Sequence, residues 1–136
     1  MRSIFGYNSS LQSIVIRIRT RCKWSHVGVI VGDFVLEAQG GVGVVLTPIE
    51  SFMARYDEVE IRHLKGNVNK ALPLIGRPFD TLGAIGLFMN IPMLKSNGAF
   101  ICSGLVAIAS NDIEDINAAK ATPRSIYKLT NSLLSI

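Results

Sequence analysis

Leu11, Ile14, Val15 and Ile18 recur at three- and four-residue spacing, which predicts a helix capped by Ser9 or Ser10 and running through Thr20. Arg17, Arg19 and Arg21 interrupt that stripe. The pattern then changes. Trp24 to Val31 is rich in Val and Ile and predicts a strand, Gly32-Asp33 a two-residue turn, and Phe34 to Gln39 the returning strand of a hairpin. Gly40, Gly41 and Gly43 permit an unusual turn before a short strand through Leu46. Thr47-Pro48 reads as N-cap and first-turn proline of a helix near Ser51 to Ala54, with Glu50 in its first turn. Val59 to Leu64 predicts another strand, alternating Val59 and Ile61 with Glu60 and Arg62.

The second half reads as helical. Asn67 to Ile75 predicts a helix stopped by Gly76 and Pro78, and Asp80 to Met89 an apolar helix. Ile101 to Ser110 predicts a third, with Ile101, Leu105, Ile108 and Ala109 on one side, and Thr122-Pro123 starts a last one through Leu129. A helix, a run of strands, then helices predicts an α+β fold with an antiparallel sheet packed against helices. No repeat or linker divides the chain, so residues 1–136 are expected to form one domain.

Composition narrows the classes. With 49% hydrophobic and 18% charged residues, the chain is not of the disordered type, and 136 residues suffice for one core. The longest uncharged apolar run, Thr81 to Leu94, is too short to span a bilayer and carries Gly83, Gly86 and Pro92; no transmembrane segment is expected. Met1 to Asn8 lacks the apolar core and cleavage site of a signal peptide, so a cytoplasmic location at synthesis is expected, and any delivery to a cell wall would need another route. The net charge of +4 is partly concentrated: Arg2, Arg17, Arg19, Arg21 and Lys23 all precede the first acidic residue, Asp33. That basic segment is either a solvated face or a surface for an anionic partner. No zinc-finger or RNA-binding signature accompanies it, and specific nucleic-acid binding is not expected.

The chemistry starts from the hairpin. If Gly32-Asp33 is the turn, Val29 faces Leu36, Gly28 faces Glu37 and His26 faces Gln39. His26, Gly28, Glu37 and Gln39 then share one face, with Glu37 diagonal to His26 and about 7–8 Å away between backbones. A carboxylate on one imidazole nitrogen fixes the tautomer and stabilises the imidazolium. Cys102 stands at the first turn of a predicted helix after the breaker run Ser96-Asn97-Gly98, where free amides and the helix dipole favour a thiolate. The amides of Cys102 and Ser103 are candidate oxyanion donors. Cys22 lies among arginines and a lysine but offers no such donors, and the spacings of Cys22, His26, His63 and Cys102 match no zinc signature. No metal or cofactor is expected. With only Cys22 and Cys102 present, a disulfide framework is not needed either.

Ser25-His26-Val27-Gly28-Val29-Ile30, Val35-Leu36-Glu37-Ala38 and Phe100-Ile101-Cys102-Ser103-Gly104-Leu105-Val106 resemble the circularly permuted branch of the NlpC-type cysteine peptidases, in which the His strand precedes the Cys helix. Gly76-Arg77-Pro78-Phe79-Asp80 and Thr122-Pro123 are also similar. The resemblance implies a papain-like fold and a Cys102–His26 pair, with Glu37 as third residue and Gln39 in reserve. Phe79 stands where a tyrosine is common, and Gly104 where a Glu is frequent. The expected activity is hydrolysis of an amide, ester or thioester, foremost a cell-wall peptide. The alternatives are a lipid acyltransferase or thioesterase and a non-catalytic binding module.

Overall fold

Residues before the first predicted helix already form a strand. In the computed structural model, which describes residues 1–80, 102–111 and 121–132, β1 (Arg2–Tyr7) lies inside the sheet rather than at its edge. The other strands are β2 (His26–Val31), β3 (Phe34–Gln39), β4 (Gly43–Pro48), β5 (Glu58–His63) and β6 (Asn131–Ser132). They pair antiparallel in the order β4-β3-β2-β1-β5-β6. Periodicity misses β1 because both of its faces are covered. Ile4 packs with Ile30, Val35 and Phe52, whereas Phe5 packs with Trp24, Val27 and Val106, so no apolar–polar alternation arises.

The helices are α1 (Leu11–Thr20), α2 (Ile49–Ala54), α3 (Cys102–Ala109) and α4 (Pro123–Leu129). Val106 and Ala107 of α3 join Phe5, Val27 and Val29, and Leu105 and Ala109 join Leu36, Ala38 and Val44. Phe52 of α2 joins Ile4, Ile30 and Val35, which point to the other face. The sheet is thus covered by α3 on one side and α2 on the other, an α+β arrangement as predicted. Helix α3 is buried at Ser103, Gly104, Leu105, Val106, Ala107 and Ala109, nearly all round rather than along a single stripe. Helix α4 follows the sequence closely: Thr122 caps it in a reciprocal bond with Ser125, and Pro123 opens its first turn.

The apolar stripe of α1 is turned outward: Leu11, Ile14, Val15 and Ile18 are exposed, and the buried residue of the helix is Ser13. Three expectations need correction. Residues 67–75 form two 3-10 turns, Val68–Lys70 and Leu72–Leu74, because Pro73 has no N–H to continue a helical ladder. Strand β4 extends through Pro48, so α2 begins at Ile49 with Pro48 in the capping position and no side-chain cap. The strand predicted from Trp24 begins at His26. The helix predicted over Asp80 to Met89 lies outside the described residues apart from Asp80, as do Ile101 and the run from Thr81 to Leu94. Among the described residues no helix is long and apolar enough to cross a membrane.

Candidate active site

The hairpin register is Val29 with Leu36, Ile30 with Val35 and Val31 with Phe34, the pairing inferred from a Gly32-Asp33 turn. Gly32 has φ +58°, the left-handed conformation that such a turn needs. At Gly28 the two strands run close: a Cβ there would come within 2.5 Å of Val35 Cγ1 and 3.0 Å of the Leu36 carbonyl. That approach lets the first side chain of β2 reach across to β3. His26 Nε2–H donates to Glu37 Oε1 at 2.8 Å. Gln39, the reserve partner, lines the neighbouring cleft instead.

Glu37 is fully buried and holds a second cation. Arg55, at the C-terminal end of α2, places Nη2 2.6 Å from each carboxylate oxygen. Thr47 of β4 also helps hold Glu37 ionised. Burial alone would raise the pKa of this carboxyl, but His26, Arg55 and Thr47 outweigh it and hold the pKa at about 2. Arg55 is fixed in turn: Asn8 Nδ2 donates to its carbonyl at 3.2 Å, and Asp57 N–H donates to the Tyr7 carbonyl at 2.8 Å.

The imidazole is held flat as well. The Tyr56 ring stacks on it at 5.7 Å between centroids and 13° between planes, and Phe52 stands at 5.7 Å on a tilt. Tyr56 itself occupies the space over Gly6, where a Cβ would meet the ring at 2.7 Å. Burial pushes the Tyr56 phenol well above its ordinary pKa, so it stays neutral beside the histidine.

With Nε2 on Glu37, Nδ1 is the ring nitrogen left for Cys102. Cys102, the first residue of α3, lines the same cleft as His26, and its thiol feels the His26 side chain and the backbone N–H groups of Val27 and Ser103. Burial acts to raise the thiol pKa, yet His26 and those two amides bring it below the usual value. Burial likewise acts to lower the His26 pKa, but the facing thiolate and Glu37 lift it to about 9. Both shifts run in the direction of a thiolate facing an imidazolium. The Ser103 hydroxyl donates to the Ala121 carbonyl at 2.5 Å and ties the first turn of α3 to the start of α4.

An open cleft of about 180 Å3 meets the pair. Its rim is mixed: Ser10, Gln12, Ser13, Gln39 and Arg55 bring hydrogen-bonding groups, and Ile16, Tyr56 and Phe79 bring apolar surface. Of the site residues, His26, Glu37 and Cys102 come together as the sequence led us to expect. Arg55, Tyr56 and Thr47 were missed. Nothing in their spacing marks them, since α2 and the sheet meet only through tertiary packing. Cys22 sits apart, against the aromatic cluster of Phe5 and Trp24, with its sulfur accepting from Trp24 N–H at 3.5 Å. Both cysteines are free thiols.

No family model matches this chain, and no curated protein matches it. A solved structure does match along almost its whole length: the crystal structure of metalloprotein yiiX from Escherichia coli O157:H7, described as DUF1105. The TM-score is 0.65 at 17% identity, covering 96% of this chain and 93% of that one, which shows a shared fold. These findings overturn the NlpC-type expectation. Among the described residues, the donor set at this site does not suit a metal. Glu37 is taken up by Arg55 and His26, and no group of three His, Cys, Asp or Glu side chains among the described residues could hold an ion.

Proposed function

We propose that this protein is a thiol-dependent acyl hydrolase with a papain-like arrangement, in which Cys102 is the nucleophile, His26 the acid and base, and Glu37 the residue that orients His26. The observation that carries this reading is the set Glu37, His26 and Cys102, with His26 Nε2 fixed at 2.8 Å from the carboxylate and the imidazole sharing one cleft with Cys102.

The Cys102 thiolate attacks the acyl carbon of an amide, ester or thioester. The C–N, C–O or C–S bond breaks, and His26 gives its proton to the departing amine, alcohol or thiol. Neutral His26 then takes a proton from water, whose oxygen attacks the thioester. The acid leaves and the thiolate–imidazolium pair is restored. Arg55 acts through Glu37: it keeps the carboxylate ionised and still, and it shares the negative charge that would otherwise rest on His26 alone.

The hydrogen-bonding side chains on the cleft wall, Ser10, Gln12, Gln39 and Arg55, support a substrate with polar groups beside the scissile bond, such as a peptide of the cell-wall kind. The test is Cys102→Ser against a panel of muropeptides and activated acyl esters. We expect turnover by the parent, none by the variant, and mass addition of the acyl group on the Cys102 peptide. Unchanged turnover in the variant would contradict the mechanism. A parent that neither turns over nor is acylated would favour a non-catalytic binding module.

A further inference from the structure

Helix α1 is amphipathic in the reverse sense for a helix lying on a protein. At 3.6 residues per turn, Leu11, Ile14, Val15 and Ile18 form one stripe, and it points into solvent, with Leu11 79% and Ile18 70% exposed. The opposite side carries Ser13, Ile16 and Thr20. The Ser13 hydroxyl donates to Ser25 Oγ at 2.7 Å, and the Thr20 hydroxyl donates to the Ile16 carbonyl at 2.7 Å. Ser10 caps the helix and Arg21, at φ +53°, closes it. A helix so anchored through a hydroxyl, with its hydrocarbon turned outward, presents a surface for a partner.

Charge identifies that partner. Arg17 and Arg19 flank the stripe on its two sides, Arg21 and Lys23 follow its C-terminal end, and no acidic residue precedes Asp33. Lys23 bonds Glu58 at 2.6 Å, and the Arg17 guanidinium lies 4.2 Å from the centre of the Tyr7 ring. A second copy across a twofold axis would set arginines against arginines. An anionic bilayer suits both features, since aliphatic side chains enter between headgroups while arginines meet phosphates. The same helix walls the cleft through Gln12, Ser13 and Ile16, beside His26 and Cys102.

We propose that α1 docks the protein on an anionic phospholipid surface, so that the Cys102 cleft opens at headgroup level and the acyl substrate is one displayed at a membrane. The docking stands on α1 alone; the placement of a substrate rests on the hydrolase reading. The test is co-sedimentation with phosphatidylcholine vesicles with and without phosphatidylglycerol. The parent should bind the anionic vesicles, and binding should fall as salt rises. Leu11→Asn with Ile18→Asn changes only exposed side chains and should abolish it, with the far-UV circular dichroism unchanged. Arg19→Gln, as an independent variant, should weaken it about fivefold. Cys102→Ser should bind as the parent does, so a failed mechanism leaves this result intact. Absence of binding, or equal binding by parent and double variant, would overturn the proposal. So would a dimer in sedimentation velocity that the double variant dissolves, which would assign the stripe to a second copy.

Discussion

At the scale of single residues, the site is governed by how charge is shared around Glu37. Two cations, Arg55 and His26, meet one fully buried carboxylate. Glu37→Gln removes the negative charge and leaves the Arg55 guanidinium facing an imidazolium. We expect the His26 pKa to fall, the Cys102 thiol pKa to rise, and thiol alkylation at neutral pH to slow at least tenfold. The same change should cost about 3–5 kcal/mol of stability, since one partner of a buried ionic set is left uncompensated. Urea unfolding read beside alkylation rates separates the two effects. The depressed Glu37 pKa also sets a sign for acid behaviour. Its stabilising contribution is complete above the ordinary carboxylate value of 4.5 and is lost as pH falls toward about 2. Urea midpoints should therefore drop through that window, and those of Glu37→Gln should drop less.

At the scale of elements, the hairpin and the start of α3 place the chemistry, and both were legible in sequence. Gly32-Asp33 fixed the register, and with it the diagonal of His26 and Glu37. Cys102 at the helix start followed from the breaker run before it. What stayed hidden was contributed by packing between elements far apart in the chain. Tyr56 stacks on His26 only because Gly6 leaves room, and Arg55 reaches Glu37 only because α2 folds over β3. Gly6→Ala should thus displace the Tyr56 ring and disturb the histidine without touching a triad residue. We expect lower turnover with a near-native circular dichroism spectrum. By contrast, Thr122→Ala removes the cap of α4 and should cost about 1 kcal/mol while leaving Cys102 reactivity intact.

At the scale of the whole molecule, the sheet is a two-sided core whose middle strands are invisible to period-two reading. Strand β1 carries Ile4 to one layer and Phe5 to the other, and Phe5 sits in an aromatic cluster with Trp24 and Tyr127. Phe5→Ala should be among the most damaging single changes, about 3–5 kcal/mol by thermal or urea unfolding. The fold class followed from the order of elements, but the outward stripe of α1 did not. A sequence pattern shows that a helix has an apolar face without showing which way the face is turned. The likeness to yiiX extends over the whole fold, whereas the site is specified by side chains of this chain.

The central claim is that His26 makes a nucleophile of Cys102. It is tested most directly by the pH dependence of iodoacetamide alkylation at Cys102 in a Cys22→Ser background, with and without His26→Ala. We expect the reactive form of Cys102 to appear below its ordinary pKa of 9.0, with the profile altered again near pH 9 as the imidazolium deprotonates. His26→Ala should move the rise back toward the ordinary thiol range. Identical profiles for the two proteins, each rising only at ordinary thiol pH, would contradict the account.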